Sequence, residues 1–60
     1  MGYRKNYVRA IMDERPRLSY GKIAGQLGVS QVTVARWMAD EPTEEQYQRL
    51  VQAIKELRNA

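Results

Sequence analysis

The 60-residue chain has no cysteine and no histidine, and those two absences remove much of the chemistry open to a small protein. Neither a disulfide nor a thiolate zinc site can support the core, and the ordinary zinc ligand set is missing. The composition is compatible with a reducing cytoplasm, and no metal or cofactor is expected. Nucleophile and base pairs are missing as well. Ser19 and Ser30 fall at helix-capping positions with no base near them in the pattern, and Asp13 and Glu14, adjacent on a helix, diverge rather than converge. Since no strand is expected, no glycine-rich phosphate loop can follow one. An enzyme is therefore not the expectation, and no small-molecule ligand is evident. The apolar runs fall far short of the roughly 20 residues that a membrane span requires. Internal repeats, low-complexity tracts and targeting segments are not visible either.

A chain this short makes one domain, here taken as residues 1–60, and buries only about 60% of the surface it exposes when unfolded. Self-association would help it. The formal net charge of +3 is unevenly spread. Residues 1–39 carry Arg4, Lys5, Arg9, Arg15, Arg17, Lys22 and Arg36 against Asp13 and Glu14, a balance of +5. Residues 40–60 carry Arg49, Lys55 and Arg58 against Asp40, Glu41, Glu44, Glu45 and Glu56, a balance of −2. Such asymmetry favours a polyanion on one side and solvent or protein on the other.

Four helices are expected, over about 4–14, 20–27, 31–39 and 44–58. Tyr3, Tyr7, Val8, Ile11 and Met12 keep helical spacing, and Pro16 disfavours helical geometry at Arg15 and closes the first helix. Arg4 and Lys5 at its front have two readings, a contact with phosphate or an adjacent groove, or a solvated terminus. Leu18 is expected to pack beneath the second and third helices. Ser19 caps the second helix, whose Ile23, Ala24 and Leu27 lie on one stripe. Gly28 ends it, since glycine takes a left-handed conformation at no steric cost. Val29 plugs the corner and Ser30 caps the third helix, where Val34, Trp37 and Met38 recur at core spacing. Gln31, Val32, Thr33, Ala35 and Arg36 are left on its other faces. Trp37 lies on the apolar stripe and is expected in the core rather than stacked on a base. Gly21 and Gly25 each cost a helix about 1 kcal/mol relative to alanine. Close approach to a DNA backbone or to a neighbouring helix would each account for them.

Two short helices around one tight turn make a unit that places a helix in the DNA major groove. Ile23-Ala24, Leu27-Gly28-Val29-Ser30, Val34 and Arg36-Trp37 resemble the helix-turn-helix of the Cro/repressor family of phage and bacterial transcriptional regulators. The resemblance covers about twenty of the 60 positions. It implies an all-α, lambda-repressor-like domain of four helices that binds double-stranded DNA and acts as a repressor, in the cytoplasm of a bacterial or phage-infected cell. It also implies that the third helix is the recognition helix. Base contacts would come from Gln31, Val32 and Arg36, with Thr33 and Ala35 beside them. Phosphate contacts would come from Arg17, Ser19, Tyr20, Lys22 and Ser30. The side-chain chemistry suits these roles: glutamine can bind adenine N6 and N7, valine can pack on a thymine methyl, and arginine can reach guanine O6 and N7 or a phosphate. The chain departs from the family pattern at Tyr20, where glutamine is common, and in having room for one long helix after the motif instead of two.

In that last segment Thr43 and Gln46 form a capping-box pattern, and Glu44 and Glu45 occupy the first turn, where the helix dipole favours negative charge. Tyr47, Leu50, Val51, Ile54 and Leu57 form a single apolar stripe. Two burials compete for it: the core of the same chain, or the matching stripe of a second chain in a homodimer. A dimer would set two recognition helices about one helical turn apart, roughly 34 Å, to read a palindromic operator. Two other functions remain open on the sequence alone. One is an excisionase-like or architectural DNA-binding factor; the other is a protein-interaction module that uses the last helix.

Overall fold

Ser19 and Ser30 set the starts of the two central helices through the same device. In the computed structural model, which describes residues 3–59, both serines are in extended backbone conformation. The Lys22 N–H donates to Ser19 Oγ at 3.3 Å, and the Thr33 N–H donates to Ser30 Oγ at 3.2 Å. Each hydroxyl satisfies a backbone donor that has no partner inside its helix. Four helices result: α1 (Tyr3–Asp13), α2 (Tyr20–Leu27), α3 (Gln31–Ala39) and α4 (Glu44–Asn59). The chain is an all-α domain of four helices, with no strand among the described residues. The expected span of 1–60 includes residues 1, 2 and 60, which lie outside the described ones. Helix boundaries match expectation to within one residue: α1 runs 3–13 rather than 4–14, and α4 extends to Asn59.

Between α2 and α3 the chain turns through Gly28, Val29 and Ser30. Gly28 has φ 75°, in the left-handed region, and the Val29 N–H donates back to the Ala24 carbonyl at 3.0 Å. This is a Schellman closure, whose left-handed position favours glycine because it has no Cβ to clash. At the front of α4 the capping box forms in both directions. The Gln46 N–H donates to Thr43 Oγ1 at 3.2 Å, and the Thr43 N–H donates to Gln46 Oε1 at 3.1 Å.

One core joins all four helices. It consists of Val8 and Met12 from α1, Leu18 from the α1–α2 connection, Ile23 and Ala24 from α2, Val34 and Met38 from α3, and Leu50, Ala53 and Ile54 from α4. The apolar stripe of α4 is the one place where the competing expectations are decided. Leu50 is 0% and Ile54 1% exposed within the single chain, so neither is available as a dimer surface. The small α2–α3 pair offers too little apolar surface to close a core alone, and the strongest row of α4 supplies the rest. Tyr47, Val51 and Leu57 are half-buried against the same core.

Three basic side chains tie the helices together. Arg4 Nη1 donates to the Pro42 carbonyl at 3.2 Å, its Nη2 lies 3.9 Å from Glu44, and its backbone N–H donates to Glu41 at 3.1 Å. Lys5 Nζ donates to the Ala39 carbonyl at 3.3 Å. In the free chain these residues hold the α3–α4 turn, so the front of α1 is not a loose solvated terminus. Arg58, near the end of α4, donates to the carbonyls of Ile11, Glu14 and Pro16.

Candidate nucleic-acid interface

The geometry of α3 follows from its apolar spacing. With Val34 and Met38 buried on one side, the residues a third to a half turn away must face outward. Val32 is 60% exposed, and Gln31 and Arg36 are exposed too. Val32 and Arg36 stand at i and i+4, so they share one outward strip, with Gln31 at the start of the helix on the side of α2. Thr33 and Ala35 are half-buried. The Thr33 hydroxyl lies 3.0 Å from Ser30 Oγ, which turns it toward the cap of its own helix and away from the outward strip. Trp37 is half-buried and packs against the core, as its place on the apolar stripe implies.

The residues expected at phosphates cluster at the start of α2. Arg17, Ser19 and Lys22 are exposed, and Tyr20 is half-buried with its ring packed against the core. Together with Arg9, Met12, Asp13 and Leu18, three of these residues (Arg17, Ser19 and Tyr20) line an open concavity of about 420 Å³. Arg9 was not singled out by the sequence pattern. Its only signal was membership of the basic half, because the fold, not the spacing, carries this part of α1 up to the start of α2. Within the concavity Arg17 Nε lies 3.4 Å from Asp13, but the two side chains are 81% and 54% exposed. So open an ion pair is weakly held, and Arg17 can exchange it for another anion. Ser30 sits apart, at the start of α3, where its hydroxyl is shared between the Thr33 N–H and the Thr33 hydroxyl.

Acidic and amide groups gather on another face. Leu27, Glu45, Gln48, Arg49, Gln52, Ala53 and Glu56 line a second open concavity of about 540 Å³ between α2 and α4. There Glu56 accepts hydrogen bonds from Gln26 at 2.8 Å and Gln52 at 3.2 Å. Those bonds, the Gln26 one first, hold its carboxyl below the usual carboxylate range against a small opposing effect of burial. No cluster of three or more potential metal ligands occurs among the described residues, and no described helix is long and apolar enough to cross a membrane.

In comparisons with known proteins, no family model, no curated protein and no solved structure matches this chain.

Proposed function

We propose that the protein is a sequence-specific double-stranded DNA-binding regulator of the Cro/repressor type, with α3 as its recognition helix. The observation that carries this reading is the division of α3 into two faces. Val34 and Met38 anchor the helix to the core, while Gln31, Val32 and Arg36 stand outward with side chains suited to base edges. The turn at Gly28 and the cap at Ser30 present the start of α3, where recognition helices make their base contacts. Arg17, Ser19, Tyr20 and Lys22 at the start of α2, with Arg9 beside them, would meet the phosphate backbone and position the domain without reading sequence. A helix of this kind cannot enter the narrow major groove of an A-form duplex, which favours DNA over RNA.

A single short helix makes few base contacts, so the reading includes a homodimer on a palindromic site. Because Leu50 and Ile54 are taken by the core, the second copy would meet the edge of α4 that carries Tyr47 and Val51. The test is selection of bound sequences from a random duplex library near physiological salt, followed by titration of the selected duplex. A palindromic motif bound by two copies supports the proposal. Weak binding with no motif, lost at modest salt, would leave only a nonspecific basic surface.

A further inference from the structure

Two glycines in an eight-residue helix call for an explanation, because alanine at either position would stabilise α2. The surroundings of the two differ. A Cβ added at Gly25 would meet nothing within 4 Å, so helix packing does not call for glycine there. A Cβ added at Gly21 would lie 3.4 Å from Gln31 Oε1, 3.9 Å from Gln31 Cδ and 3.8 Å from Ser19 Oγ. The carboxamide of Gln31 therefore occupies the space into which a side chain at position 21 would extend, at ordinary contact distance from its first carbon.

From this proximity we infer that the missing side chain at Gly21 keeps open the space Gln31 uses and that Gly21 is, through it, a determinant of base preference. The inference rests on the DNA-binding function proposed for α3. A glutamine on the first turn of a helix has three free side-chain torsions and samples many rotamers. Beside Gly21 those rotamers include ones that lie along α2, and a longer side chain at position 21 would exclude them. Adenine recognition uses the Oε1 and Nε2 atoms together, so it depends on the orientation of the amide plane as well as on its reach. A methyl group at position 21 meets Oε1 at ordinary van der Waals distance and changes its surroundings without displacing it. A leucine occupies the space of the carboxamide and displaces it.

The test uses Gly21→Ala, Gly21→Leu, Gln31→Ala and the double variant Gly21→Leu/Gln31→Ala in the full chain, with three readouts. Thermal melting reports the fold, and Gly21→Ala is expected to melt no lower than the parent. The side-chain amide resonances of Gln31 report the contact in the free protein, and they are expected to move in Gly21→Ala and further in Gly21→Leu. Titration of the selected duplex and its single-base-pair variants reports preference. Gly21→Leu is expected to lose discrimination by about 5- to 100-fold at the base pair that Gln31→Ala relaxes and nowhere else. The double variant is expected to bind no more weakly than Gln31→Ala alone. An equal loss on every sequence would overturn the inference, since Gly21 would then serve backbone approach. Unmoved Gln31 resonances would overturn it whatever the DNA result. Failure of the unsubstituted protein to select any sequence sinks the DNA reading itself, and it is told apart from the previous outcome because the resonances need no DNA.

Discussion

The guanidinium of Arg58 donates to the carbonyl of Ile11, joining the last turn of α4 to the last turns of α1. The same group reaches the Glu14 carbonyl at 2.9 Å and the Pro16 carbonyl at 3.1 Å, while its Nε is buried without a partner. A cation among the final carbonyls of a helix satisfies acceptors the helix cannot and opposes the negative end of its dipole. Arg58→Ala is expected to cost about 1.5–3 kcal/mol in urea unfolding. Arg58→Lys should recover only part of this, because one ammonium cannot reproduce a planar fork spread over three carbonyls. An unchanged urea midpoint for Arg58→Ala would show the contact to be energetically idle.

Thr43 and Gln46 exchange two hydrogen bonds at the start of α4. Thr43→Ala should destabilise the fold by about 1 kcal/mol. Gln46→Ala should add a loss of its own, because each side-chain oxygen accepts from the other residue's backbone N–H, which the substitution leaves in place. An unchanged melting temperature for both variants would count against the box.

Leu50 lies at the centre of the shared core, so Leu50→Ala should cost about 2–5 kcal/mol. In a domain of this size that is a large part of total stability, and circular dichroism should show partial or complete loss of helix. For the proposed homodimer, Val51→Lys, on the half-buried edge, should keep the fold and shift sedimentation toward a single copy. A Leu50→Ala that stays folded with unchanged helix content would take Leu50 out of the core.

For the proposed DNA complex, Gln31→Ala and Arg36→Ala should each lose about 1–3 kcal/mol of binding and relax preference at one base pair. Lys22→Ala, Arg17→Ala and Arg9→Ala should weaken all sequences alike and lower the salt slope by about one unit each. Affinity measured against salt for each variant separates the two groups. Uniform loss for Arg36→Ala would reassign it to a phosphate.

Glu56 supplies a pH signature. Its carboxyl is held below the usual carboxylate range by Gln26 and Gln52, so the folded state prefers its ionised form. The resulting stabilisation is present above the unfolded-state pKa and is lost as pH falls through the lower folded-state value. Titration of the side-chain carboxyl carbons by NMR should place Glu56 below the usual carboxylate range. Gln26→Ala should raise it toward the ordinary value. No movement on that substitution would remove Gln26 as the cause.

Much of this architecture was legible in the order of residues, because it is built from local chemistry. The caps at Ser19, Ser30 and Thr43 and the left-handed Gly28 each depend on neighbours three to five positions away. The ties made by Arg4, Lys5 and Arg58 were not legible. They join side chains to backbone carbonyls 34 to 47 residues distant, and a carbonyl leaves no trace in residue identity. The α4 stripe announced a buried face but not what would bury it, since periodicity is the same for a core and for a dimer seam. Gly21 was visible as an anomaly, and its place beside the Gln31 side chain required the relative placement of two helices.

Among the described residues, no hydrogen bond or ion pair that holds the helices together uses the side chains of Gln31, Val32 or Arg36. The outward face of α3 is thus mechanically independent of the scaffold beneath it. Substitutions at those three positions should leave the melting temperature nearly constant. On the proposed DNA-binding reading, the sequence preferred could drift through them with no compensating change anywhere in the core.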